Sequence, residues 1–369
     1  MRKMCFILLV ILSVMSVSAC GEKTPSGQIQ SLDLSAFLET AELPENLSIS
    51  FDPSEVRAVS SARIYKANLL TFDPDAAAKE MLRMDVVDTQ PTALGISFQT
   101  GDKFAAEYLT VFDGGKQFGV DSGVNGGLSY SMYINGPDHK SLVIANEAGP
   151  PSLNEQLSKS KWRNDYKSYA DLSFMPYADA LAAVEEKLAA VGFPQIGMAE
   201  AYSMDVETMR EHYALYLEEN RNVEDRVEDL SWSQDDEGYL FHFRQLIDDI
   251  PVINVSWQWG KGSDNGPASN FMDPTTITVI FTRDGITQLY ASNLYDLAAA
   301  ESGEEQPLIG AAQALHVLLV EYGELLLEKG TRVVSAELCY VSIPAGGASE
   351  LIPAWVFATA KPGLFRDPV

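Results

Sequence analysis

Two short strings limit the fold more than any other part of this sequence: Asp113-Gly114-Gly115 and Asp284-Gly285, each set between runs of strand character. Asp and Gly tolerate the positive φ that tight turns need, so each string predicts an antiparallel hairpin. Residues 104–112 and 116–120 are the arms of the first; 276–282 and 286–292 are those of the second. Tyr239, Phe241 and Phe243 alternate with Leu240, His242 and Arg244, which is the period-two pattern of a half-buried strand. Residues 56–70, 92–99, 128–134, 196–204, 252–259, 332–341 and 351–359 also read as strands. Four helices fit between them. Asp73-Pro74-Asp75 opens a short one; Tyr177, Leu181, Val184, Leu188 and Val191 form the stripe of a second, with Gly192 as its stop. An acidic, Tyr-rich helix over 206–220 is the third, and the longest runs 308–328 before Gly330. The expectation is an α+β protein: two lobes of mostly antiparallel sheet with helices packed on one face. The lobes fall at 47–170, with a Pro150-Pro151 connector near its end, and at 171–369.

The N-terminus is of another kind. Met1-Arg2-Lys3 is basic, Met4 to Val17 is apolar, and small residues follow, as in an export signal. The apolar run is too short for a comfortable membrane span, which takes about 20 residues. Val17-Ser18-Ala19-Cys20 resembles the lipobox of bacterial lipoproteins. The resemblance implies a signal peptide over 1–19 and a diacylglycerol thioether on Cys20. The new N-terminus would be acylated, with palmitate as the acyl group, and the protein held at the extracytoplasmic face of the cell membrane. Residues 20–46 are then the lipidated cysteine and a flexible tether, for which the small polar stretch 21–31 is suited. Cys5 leaves with the signal, so Cys339 is the one free thiol of the mature chain and no intramolecular disulfide can form. Cys339 sits in an apolar strand and reads as a core residue.

Charge excludes some partners. With 52 acidic against 26 Lys and Arg residues and no basic cluster, the chain repels nucleic acid and anionic headgroups. Motifs that carry chemistry are incomplete. Ser158-Lys159-Ser160-Lys161 and Ser263-Asp264-Asn265 match two elements of penicillin-binding enzymes, but Lys329-Gly330-Thr331 has the third in the wrong order. Asp121 to Gly126 has a calcium-loop look, but Met132 stands where a bidentate Glu belongs. His139, His212, His242 and His316 are dispersed, which argues against zinc, and no nucleotide loop is present. No catalytic, metal or cofactor residue is therefore assigned. His242 and Arg244, near Asp248 and Asp249, form either a carboxylate-binding group or a salt-bridged sheet face. Trp257 and Trp259 either stack on glycan or pack at an interface.

The string Tyr239-Leu240-Phe241-His242-Phe243-Arg244-Gln245, a turn, then Ile250-Pro251-Val252 resembles PepSY-type and YycH/YycI-type extracytoplasmic regulatory proteins. Residues 333–341 and Leu351-Ile352-Pro353-Ala354-Trp355-Val356-Phe357 are similar to their closing strands, so the resemblance spans about 172–360. Asp249 stands where those proteins usually have Gly, and a lipid would replace their transmembrane anchor. The resemblance implies a non-catalytic domain that touches a protein partner, such as a sensor-kinase ectodomain or an envelope protease. Two other readings stay open: an envelope hydrolase using two carboxylates, and a solute-binding lipoprotein, which would want a parallel sheet.

Overall fold

The computed structural model describes residues 9–12, 33–82, 88–96, 103–111, 117–121, 127–131, 165–222, 224, 229–253, 257–258, 271–272, 275–322, 330–345 and 348–360. In chain order they form β1 (Leu9–Leu12), α1 (Leu34–Thr40), β2 (Leu47–Ile49), β3 (Ser61–Ala67), α2 (Pro74–Leu82), β4 (Asp88–Ile96), β5 (Lys103–Val111), β6 (Gln117–Asp121) and β7 (Leu128–Ser131). Then come α3 (Tyr177–Val191), β8 (Ile196–Met204), α4 (Val206–Glu219), β9 (Gly238–Ile247), β10 (Ile250–Pro251), β11 (Trp257–Gln258), β12 (Phe271–Met272), β13 (Thr276–Thr282) and β14 (Gly285–Ser292). The chain closes with β15 (Glu301–Pro307), α5 (Ala311–Tyr322), β16 (Thr331–Ala345) and β17 (Ala348–Ala360).

This is a mixed α+β fold built on two mostly antiparallel sheets. The six-stranded sheet has the order β15-β3-β17-β16-β2, with β1 also on β17. The nine-stranded sheet runs β10-β9-β13-β14-β7-β6-β5-β4, with β8 also on β9. A parallel pairing of β2 with the start of β16 is an exception to the antiparallel rule. The Asp284-Gly285 hairpin is present, with Thr282 opposite Gly285 and Gly285 at φ 93°. β5 and β6 pair as the other hairpin requires, although its turn lies outside the described residues.

The strands do not sort into sequential lobes at 47–170 and 171–369. β2 and β3 join β15–β17, while β4–β7 extend the other sheet from β14. Hydrophobic period tells a strand from a helix but carries nothing about which edge, near or far in sequence, completes its ladder. The tether expected over 20–46 is also shorter than that span. Asp33 accepts from Ser35 N at 2.9 Å as the cap of α1, and Leu34 and Phe37 are buried.

Alternation on β9 assigns the layers. Tyr239, Phe241 and Phe243 face α3, packing with Ala180, Val184 and Leu188. Leu240 points the other way, to Met209 and Tyr213 of α4. The nine-stranded sheet thus carries a helix on each face. α1 and α5 share one face of the other sheet, with Phe37, Leu315 and Leu318 against Leu338, Trp355 and Phe357. Gly192 ends α3 at φ 99°, its N–H bonded to the carbonyls of Leu188 and Ala189.

Candidate functional site

The two sheets are joined by the β9–β10 hairpin. Its tip residues Asp248 and Asp249 both lie in the left-handed region, at φ 51° and 62°. Asp is among the few residues that accept this conformation at modest cost, and each is held in place. Tyr65 donates its hydroxyl to Asp248 Oδ2 at 2.6 Å, Gln195 donates to Asp249 Oδ1 at 2.8 Å, and Arg57 Nη1 donates to the Asp249 carbonyl at 2.6 Å. Burial, and then the bond to Asp248, push the Tyr65 phenol up to about 12.

Beyond the tip, the strand crosses from one core to the other. Ile247, Ile250 and Val252 belong to the apolar cluster of the six-stranded sheet, and Val252 makes a parallel bridge to Tyr340. The Ile250-Pro251-Val252 motif is therefore the physical joint. Polar bonds reinforce it: Gln245, fully buried, donates Nε2 to the Tyr295 carbonyl at 2.8 Å and accepts from Tyr295 N at 2.9 Å. Arg244 makes a bidentate pair with Glu337 of β16, both bonds at 2.8 Å. Burial alone would pull the guanidinium down; the Glu337 carboxylate outweighs it and holds Arg244 up.

Beside the joint, the edge of β16 is interrupted. A bulge at Val334 shifts the register with β17, so Val333 shares a core with Ala336, Leu338 and Tyr340 although it is out of phase with them. Pairing with β2 ends at Val333, and the next contact on that edge is Val252 with Tyr340. Residues 334–338 between them line a cavity of about 490 Å³. Val56, Ile250, Pro251 and Leu338 give it apolar walls; Asp52, Glu55, Arg57, Asp249 and Glu337 line it as well and are charged. Hydrogen bonds from the Ser54 hydroxyl and backbone N–H hold the Asp52 carboxyl below its ordinary range.

The residues singled out in sequence take different places. Arg244, Asp248 and Asp249 do meet at the joint, as structural partners of Glu337, Tyr65 and Gln195. His242 does not join them; it is buried on the α4 side with Nδ1 at 3.0 Å from Thr278 Oγ1. Cys339 is buried, and burial followed by the nearby Glu337 charge raises its thiol well above the ordinary value, so it stays protonated. Cys20, Trp259, His139, Ser158 and Ser263 lie outside the described residues, as do the side chains of β11. Arg57, Glu55 and Val334 escaped sequence reading. The one trace was the phase slip between Val333 and Ala336. Among the described residues no cluster of metal-binding side chains occurs, and no helix is long and apolar enough to cross a membrane.

No family model matches the chain, and no curated protein matches it. Among solved structures it is similar to an uncharacterized protein from Eubacterium rectale, at 15% identity and TM-score 0.52, covering 81% of this chain and 77% of that one. That likeness concerns the fold alone. YycH from Bacillus subtilis aligns over 83% of this chain and 98% of its own at 11% identity, with a TM-score of 0.18.

Proposed function

We propose that this protein is a membrane-anchored extracytoplasmic lipoprotein that acts by binding an extended segment of a protein or peptide partner, in envelope regulation or maintenance and without catalysis. The observation that carries the reading is the cavity over the interrupted edge of β16. An incoming strand would continue the row between β2 and Val252, its main chain bonding to β16 and alternate side chains entering the apolar walls. The gap of residues 334–338 admits a segment of about five residues, roughly 16 Å at strand rise. Acidic lining residues favour a segment flanked by Lys or Arg. The PepSY and YycH/YycI resemblance fits such a role.

Cys20 supplies the anchor in this reading. A lipid there would keep the cleft near membrane partners at raised effective concentration. Two measurements test the proposal. Mass spectrometry of protein extracted from its own membrane should show residues 1–19 removed and an acylated Cys20; an intact leader refutes the anchor. Hydrogen exchange with acetyl-Lys-Val-Thr-Val-Lys-amide at millimolar concentration should slow amides 334–338, and N-methylation of the central Thr should abolish the effect. Turnover of peptide or glycan, lost on changing a single carboxylate, would overturn the binding role in favour of a hydrolase.

A further inference from the structure

Tyr169 stands in the left-handed region, at φ 59°, and is 53% exposed. A bulky residue adopts that backbone at a cost, and here the cost is imposed by the neighbouring strand. Ser203 of β8 is buried; it donates its N–H to the Lys167 carbonyl at 2.8 Å and its hydroxyl to the Ala170 carbonyl at 2.6 Å. Those two bonds pin the chain on either side of Tyr169. Gly or Asn would take this backbone with little strain, yet the position holds an exposed ring. An observed outlier of this kind points to a side chain used for something other than the fold.

The ring meets Tyr177 at the start of α3, with centroids 5.5 Å apart and planes at 87°. Tyr177 is itself fixed, half-buried against Tyr239 and Phe241 of β9. Two rings at right angles make a corner, one wall set in the core and the other held by the pinned turn. The charge beside it is negative. Asp171 accepts from the Tyr177 N–H through Oδ1 at 2.9 Å, and its Oδ2 has no partner among the described residues. Burial, then Tyr169, then the charge of Glu185 push the Tyr177 phenol up. Lys167, the one basic residue between Asp165 and Tyr177, is not among the charges that act on that phenol.

We infer that the Tyr169–Tyr177 corner is a binding site for an arginine side chain of a protein partner. A guanidinium is planar and stacks on a ring face while its N–H groups stay free in its own plane. Asp171, bonded to the backbone of Tyr177, is the carboxylate placed to accept from them. A chain of net charge −26 draws such a cation towards its surface. Glycan stacking would call for coplanar rings, which planes at 87° do not offer. The ammonium of a lysine lacks the plane. This corner belongs to the nine-stranded sheet, is separate from the cleft at β16 and does not depend on the anchor.

Saturation-transfer NMR of the full chain with N-acetyl-arginine amide, and with its uncharged isostere N-acetyl-citrulline amide, tests the site. The arginine probe should bind at millimolar concentration, and the citrulline probe about threefold more weakly or worse. Tyr169→Phe, which keeps the ring, should bind the arginine probe as the parent does. Tyr169→Asn, at home in the left-handed region, should weaken binding by about threefold or more and leave the urea midpoint unchanged or raised. Equal binding of the two probes, or parent-like binding by Tyr169→Asn, overturns the site. A lowered urea midpoint in Tyr169→Asn overturns it as well, because the ring would then be serving the fold. The cleft at β16 stands or falls separately, on the exchange of amides 334–338.

Discussion

Breaking the Arg244–Glu337 pair tests whether the joint between the sheets is held by charge as well as by packing. The pair links β9 of one sheet to β16 of the other through two 2.8 Å bonds, with side-chain exposures of 23% and 43%. Opposite charges about 4 Å apart attract by about 4 kcal/mol at an effective dielectric of 20. Desolvation of the guanidinium and the ordering of two long side chains take back more than half, and the exposed Glu337 is screened by solvent. The net coupling should be about 1–2 kcal/mol, above the range of a fully exposed pair. Urea unfolding of the parent, Arg244→Met, Glu337→Gln and the double variant measures it as the departure from additivity. Because the pair is partly buried, 1 M salt should remove less than half of the coupling. A coupling below about 0.3 kcal/mol, within ordinary additivity error, would refute the argument and leave the joint to Ile247, Ile250 and Val252 alone.

Three further outcomes are expected. Gln245→Leu orphans the buried N–H and C=O of Tyr295 and should cost about 2–4 kcal/mol by urea unfolding, whereas Gln245→Glu should recover little because it keeps only the acceptor. Asp249→Gly removes the left-handed penalty and the Gln195 bond, each about 1 kcal/mol, so stability should change by less than about 0.5 kcal/mol; Asp249→Val, strained at that φ, should lose about 2 kcal/mol. The Tyr65 phenol is raised in the folded state, so its contribution is complete below pH 10 and is lost as pH climbs towards 12. Thermal melts of Tyr65→Phe across that interval should decline less steeply than those of the parent, and a parallel decline would count against the Tyr65–Asp248 bond.

How much of this was legible in the sequence depends on the range of the interaction. The α3 stripe, its Gly192 stop, the alternation of β9 and the Asp284-Gly285 turn are local, and they stand where period and turn chemistry put them. β15 has no trace in the sequence because Glu301-Ser302-Gly303-Glu304-Glu305-Gln306-Pro307 has no apolar alternation; it is a strand because β3 offers it an edge, and every residue but the half-buried Gln306 is exposed. α1 was missed for the opposite reason: seven residues are too few for a clear period, and the burial of Phe37 against the six-stranded sheet stabilises it. At the candidate site, Arg244 and the turn acids were visible as chemistry, but their partners Glu337, Tyr65 and Gln195 come from three distant stretches. The cavity itself follows from a one-residue bulge, which erases alternation at the point where it matters.

The pairing of β2 with β16 has a consequence for how the protein is made. Ser50 donates to the carbonyl of Val333, 283 residues away, and the neighbouring strands β3 and β17 are just as far apart in sequence. A ladder of that span cannot close until nearly the whole chain has been synthesised, and closing so large a loop is slow. The six-stranded sheet therefore forms last, and before then β16 and β17 have no partners from the N-terminal end. Under the proposed export, late closure would be an advantage, because topology delays collapse of this sheet. Its cost is that two long apolar strands wait for β2 and β3 and are open to aggregation. Refolding from urea should accordingly be slow, and chains truncated before β16 should fail to order β2, whose one ladder among the described residues is with β16.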